Sequence, residues 1–116
     1  MWMEYKYGVF SQNQIANVKY EIRKRVFYLI LIADPETNKQ YEGVDVEAAF
    51  DSLLHWLGGL NEVLLCPTEL VTVIGLLEAA LIRYKQGELT QVDFRNSVYR
   101  KLVLDAGATV LKIKEV

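Results

Sequence analysis

The sequence predicts an all-α fold, a compact four-helix bundle-like single domain over residues 1–116. Three observations predict it. Apolar residues recur at three- and four-residue steps through most of the chain. Helix-start and helix-stop residues punctuate those runs and leave mostly short connections. No internal repeat, low-complexity tract or Pro/Ser-rich linker divides the 116 residues, a length that buries roughly two-thirds of its unfolded surface in one core. With 52% hydrophobic and 24% charged residues, intrinsic disorder is excluded for most of the chain.

The first helix is expected from about Gln12 to Ala33. Ser11 with Gln14 three residues on has the form of a capping box, and Ile15, Val18, Ile22, Val26, Leu29, Ile30 and Ala33 then make one stripe. Asp34-Pro35 stops it, because the residue before proline avoids the α region. The β-branched and aromatic run VFYLILIA leaves a buried strand as a rival reading of its second half. Asp45 is a natural N-cap for a second helix with Val46, Ala49, Phe50, Leu53, Leu54 and Leu57 inward, and Gly58-Gly59 is expected to end it. LNEVLL, 60–65, then reads as a short turn or crossing.

Pro67 suits the first turn of a third helix, with Glu69 near its positive end and Arg83 and Lys85 near its negative end. Leu70, Val71, Val73, Ile74, Leu76, Leu77, Leu81 and Ile82 make that helix apolar on nearly every side, which predicts the central, most enclosed element. Gly87 terminates it. Gly75, like Gly58-Gly59, either admits a neighbouring backbone or simply lowers helix propensity. Thr90 with Asp93 is expected to start a fourth helix whose stripe is Phe94, Val98, Leu102, Ala106, Val110 and Ile113. Gly107 offers an alternative stop at Ala106. In that case TVLKIKEV alternates as a strand does, as does MEYKYGV, and the two chain ends are candidates for a minor pairing.

Several function classes lose ground on composition. The opening MWMEYKYGVF lacks the pattern of a secretory signal, and the eight-residue apolar run at 26–33 is too short to span a bilayer. A cytoplasmic protein with no membrane partner is the expectation. One cysteine excludes an internal disulfide, and no Cys/His cluster or HExxH spacing suggests a metal. No glycine-rich phosphate cradle implies a nucleotide. The expectation is therefore no cofactor and no metal.

Asp51, Ser52 and His55 place the letters of a hydrolase on one helix face. A working triad, however, needs the acid on one ring nitrogen, an activated hydroxyl on the other, and backbone donors for the oxyanion. No GxSxG elbow supplies these, so a surface Asp/His pair is the simpler reading and no catalytic residue is assigned. Cys66 before Pro67 is either a thiol activated at a helix start or a small core residue.

Charge is sorted along the chain. From Asp34 to Glu78, nine acids stand against Lys39 alone, while basic residues gather on both flanks. Asp34, Glu36, Tyr41, Glu42, Asp45, Glu47, Asp51 and His55 form a candidate partner-binding region, suited to a basic protein surface. Arg23, Lys24, Arg25, Arg95, Arg100 and Lys101, with Tyr99 among them, are the candidate nucleic-acid contacts, provided they share one surface. Phe27, Tyr28, Leu31 and Ile32 spill outside the stripe of helix one and are candidates for self-association. The sequence thus predicts a non-enzymatic helical protein acting through protein–protein contact, either by forming a homodimer or by regulating a partner. A small nucleic-acid-associated regulator is the alternative.

Overall fold

A computed structural model describes residues 2–5, 8–64 and 67–113. It is an all-α, bundle-like arrangement preceded by a small hairpin. In order the elements are β1 (Trp2–Tyr5), β2 (Gly8–Ser11), α1 (Gln12–Leu31), α2 (Val46–Val63), α3 (Thr68–Lys85), the single turn α4 (Glu88–Gln91) and α5 (Val98–Val110), with 3-10 turns at Asn38–Tyr41 and Phe94–Asn96.

The strand rival for VFYLILIA falls away, because the run lies within α1 and the turn after it. Burying Ile15, Ile22, Val26 and Leu29 requires a 3.6-residue period that a strand cannot supply. The chain ends do not pair in the way expected. β1 pairs antiparallel with β2, Trp2 opposite Ser11, while the chain continues as α5 through Gly107 and then turns at 111–113. Residues 114–116 lie outside the described residues, as does Cys66. Ser11 ends β2 immediately before α1.

Asp45 caps α2 as its sequence position implies, its Oδ1 accepting from Ala48 N at 3.2 Å. Gly58-Gly59 does not end that helix, which continues to Val63. Each glycine in a helix interior costs only about 1 kcal/mol, and extending the helix brings Leu60 and Leu64 against the core. Gly87, with φ of 78°, follows the last turn of α3. The fourth long helix begins later than Thr90 and Asp93 suggest. Thr90 bonds back to Gly87 O, and Ser97 is the N-cap, its Oγ accepting from Arg100 N at 3.1 Å.

Successive long helices run antiparallel. Glu47 at the start of α2 meets Lys85 at the end of α3. Tyr84 at the end of α3 packs on Tyr99 at the start of α5. Tyr99 also bonds to Leu29 near the end of α1, while Lys19 near its start reaches Leu111 and Ile113 beyond α5. The most extensive packing is α3 on α5, then α1 on α5 and α2 on α3. The central element is therefore α5, a correction to the expectation for α3. Tyr99, Val103, Ala106, Gly107 and Val110 of α5 are all buried.

Both ends of α5 are closed by charged side chains from other elements. The Glu88 carboxylate accepts from Val98 N at 3.0 Å and Tyr99 N at 2.8 Å. The buried Lys19 ammonium donates to the carbonyls of Leu111 at 3.0 Å and Ile113 at 2.7 Å. An anion thus sits at the positive end of the helix dipole and a cation just beyond the negative end, while otherwise orphaned backbone groups are satisfied.

Glu88→Ala and Lys19→Met are each expected to lower unfolding free energy by about 1–3 kcal/mol. The two losses should add, because the helix separates them by about 20 Å. Urea unfolding of both single variants and the double variant measures this. Burial, with Tyr84 second, pushes the Tyr99 phenol well above its ordinary range, so folding favours the neutral form. That stabilisation is complete below about pH 10 and lost as the unfolded chain ionises above it, by up to about 1.4 kcal/mol per pH unit. Unfolding measured between pH 8 and 11 should decline less steeply in Tyr99→Phe than in the unaltered chain.

Candidate functional site

The acidic region does not converge on one point. Asp34 is used locally, its Oδ1 accepting from Glu36 N at 2.9 Å, and Asp45 caps α2. Glu36 pairs with Arg95 at 3.4 Å and Glu47 with Lys85 at 3.8 Å, both on exposed surface where such pairs contribute little. Tyr41 is half-buried, edge-on to Tyr28 at 5.5 Å. It lines an open depression of about 570 Å³ together with Ile32, Lys39 and Glu42. Glu42, Asp51 and His55 face solvent.

Ser52 is exposed as well, on the same outward side of α2 as Asp51 and His55. No described hydrogen bond or ion pair links the three. Among the described residues, no three His, Cys, Asp or Glu side chains are grouped to hold a metal ion.

The basic residues leave α1 on different flanks. Arg23 stands over Phe27 at 5.1 Å and donates from Nε to Gly107 O of α5 at 3.3 Å. Arg25 turns instead toward α2, 4.4 Å from the Trp56 ring, and also pairs with Glu21 at 3.6 Å. Lys24 and Lys101 are exposed, Arg100 is half-buried, and Arg95 is held by Glu36 at the opposite end of α5 from Arg23. Lys19, which reads as part of the same basic run, is internal.

The apolar residues singled out on helix one are largely engaged within the chain. Ile32 is buried, Tyr28 packs on Tyr41, and Phe27 seats its ring against the bare backbone of Gly107. A Cβ built at Gly107 falls 2.6 Å from Phe27 Cζ, so the glycine permits close packing of α1 on α5. Leu31 alone is substantially exposed, at 38%.

A different apolar surface is open, on the outer side of α3. Val71 is 49% and Ile82 55% exposed, with exposed Thr68 and Gly75 and half-buried Ala79 between and beside them. At 100° per residue these five lie within about 40° of one line along the helix, directly away from buried Leu70, Val73, Leu77 and Ala80. Glu78 is the charge nearest that line, and Arg83 and Lys85 lie farther round on opposite flanks. A Cβ at Gly75 would meet nothing within 4 Å. Sequence reasoning registered α3 as apolar all round but took this to mean enclosure. The spacing of Val71, Gly75, Ala79 and Ile82 was the signal for a second, outward stripe.

No family model, curated protein or solved structure matches the chain.

Gly107→Ala tests the α1–α5 contact. Overpacking against Phe27 should outweigh the gain in helix propensity and lower stability by about 1–3 kcal/mol. The cost should shrink when Phe27→Leu removes the opposing ring, a coupling that a double-mutant cycle in urea measures.

Proposed function

We propose that this chain is a non-enzymatic helical protein that acts by protein–protein contact, with the outer face of α3 as its binding surface. One observation carries the reading: α3 has two apolar sides, and the described residues cover only one of them. A helix that is apolar all round is ordinarily enclosed. Here Val71 and Ile82 stand about half exposed around a glycine with open space beyond it. Contiguous exposed apolar surface marks an interaction site more often than scattered single residues do.

Glu78 borders the stripe on α3 itself, and Asp51 and Glu62 are exposed on the adjoining helix α2. An apolar centre with a polar rim is the usual anatomy of a protein interface. The alternative, a nucleic-acid-associated regulator, draws no comparable support, because Arg23, Arg25 and Arg95 are engaged with three different elements.

A photoreactive benzoylphenylalanine in place of Thr72, exposed at the edge of the stripe, is the direct test, because it leaves the small residues at the centre unaltered. Irradiation of cells producing this variant should yield a discrete nuclease-resistant protein adduct, while the same probe at Lys24 should yield far less. Absence of any adduct at position 72, or equal labelling from both positions, overturns the reading.

A further inference from the structure

We infer that the occupant of the α3 face is a second copy of the chain, packed antiparallel across a two-fold axis, an inference that rests on the binding role proposed for that face. The argument is self-complementarity. A two-fold interface must match a surface to itself, and antiparallel pairing of α3 sets the first turn of one helix beside the last turn of the other.

Glu69 lies in that first turn and Arg83 in that last turn. At 100° per residue Arg83 lies about 80° and Glu69 about 120° round the same flank from the midline of the outer stripe. The two-fold thus brings Glu69 of each copy to the same end and flank as Arg83 of the other, where the long arginine side chain has to reach across to it. Neither residue has an ion-pair partner among the described residues. A parallel arrangement would instead leave Glu69 of one copy and Arg83 of the other at opposite ends of the pair.

The register that joins these charges also fits the apolar stripe. It centres the crossing at residue 76, between Gly75 and Ala79, where small side chains allow the helix axes to approach. It lays Val71 against Ile82 of the second copy at both ends. The two Glu78 carboxylates, on the other flank, are staggered by four residues, about 6 Å along the axis. Antiparallel dipoles are favourable as well. One helix face lies at the small end of interface sizes, so the dimer is reversible and concentration-dependent, with an apolar centre that persists in salt and charge pairs that salt weakens.

Sedimentation equilibrium of the full chain across a wide concentration range reads the monomer–dimer balance. Val71→Glu, Arg83→Glu and Glu69→Arg are each expected to weaken the dimer roughly tenfold or more, through a buried charge or through like charges brought face to face. The double variant Glu69→Arg/Arg83→Glu should recover most of the affinity, because it re-forms both cross-pairs with their signs exchanged. Thermal melts by circular dichroism confirm that each variant is folded, as expected for side chains that no described core contact uses. A monomer at every concentration, a dimer that none of the single variants weakens, or a double variant no better than the singles overturns the inference. If the chain is monomeric but the probe at position 72 still captures a different protein, only the second copy is excluded. If the probe captures nothing, the binding role itself fails.

Discussion

The buried hydroxyl of Tyr99 is the interaction on which the helix arrangement depends. It donates to Leu29 O at 2.7 Å, in the last turn of α1, where carbonyls have no partner within the helix. Local bonds do not reach that carbonyl, because Ala33 N turns to Ile30 O as the helix ends. The Tyr99 ring meets Phe50 of α2 at 5.9 Å, Tyr84 of α3 at 6.2 Å and Phe94 at 6.3 Å. One side chain therefore touches every long helix and satisfies an orphan acceptor in the same place. The two requirements are linked: the hydroxyl needs a partner because the ring is buried.

With Tyr99 fixed, the rest of α5 follows along α1 in antiparallel register. Gly107 receives Phe27, and Lys19 closes the far end. The placement of α5 between α1 and α3 explains why α3 is not enclosed. An antiparallel four-helix arrangement gives each helix two close neighbours, and those of α3 are α5 and α2. Its third side meets no other described helix. The opening of the Val71–Ile82 stripe is thus a consequence of which helix takes the centre.

Much of this fold was legible in the sequence because its signals are local. The stripe Ile15, Ile22, Val26, Leu29 defines α1, Asp45 marks the start of α2, and Gly87 marks the end of α3, each by chemistry contained within a few residues. What was not legible depends on partners distant in sequence. Lys19 resembles its neighbours Arg23 and Lys24 until the two carbonyls beyond α5 are known. Ser97, and not Thr90, caps α5, because Glu88 secures the adjoining N–H groups from α4. Gly107 reads equally well as a stop or as a close contact, and only Phe27 decides between them. The hydrophobicity of α3 was evident, but a hydropathy pattern does not say whether the covering surface belongs to the same molecule.

The helical glycines separate those two cases. Gly107 is explained within the chain, since a methyl group there would strike Phe27. Gly58, Gly59 and Gly75 have no such explanation: all three sit inside helices, where alanine would be more favourable by about 1 kcal/mol each, and a Cβ at any of them meets only open space. All three are exposed, on the adjoining helices α2 and α3. Small residues at these positions let an external backbone approach where larger side chains would hold it off. Val71 and Ile82 stand on either side of Gly75 along α3, exposed at a cost in solubility that no described contact offsets. A close-approach position at Gly75 and an uncovered apolar stripe around it are two separate departures from what an isolated helical protein requires, and both are resolved if another helix packs there.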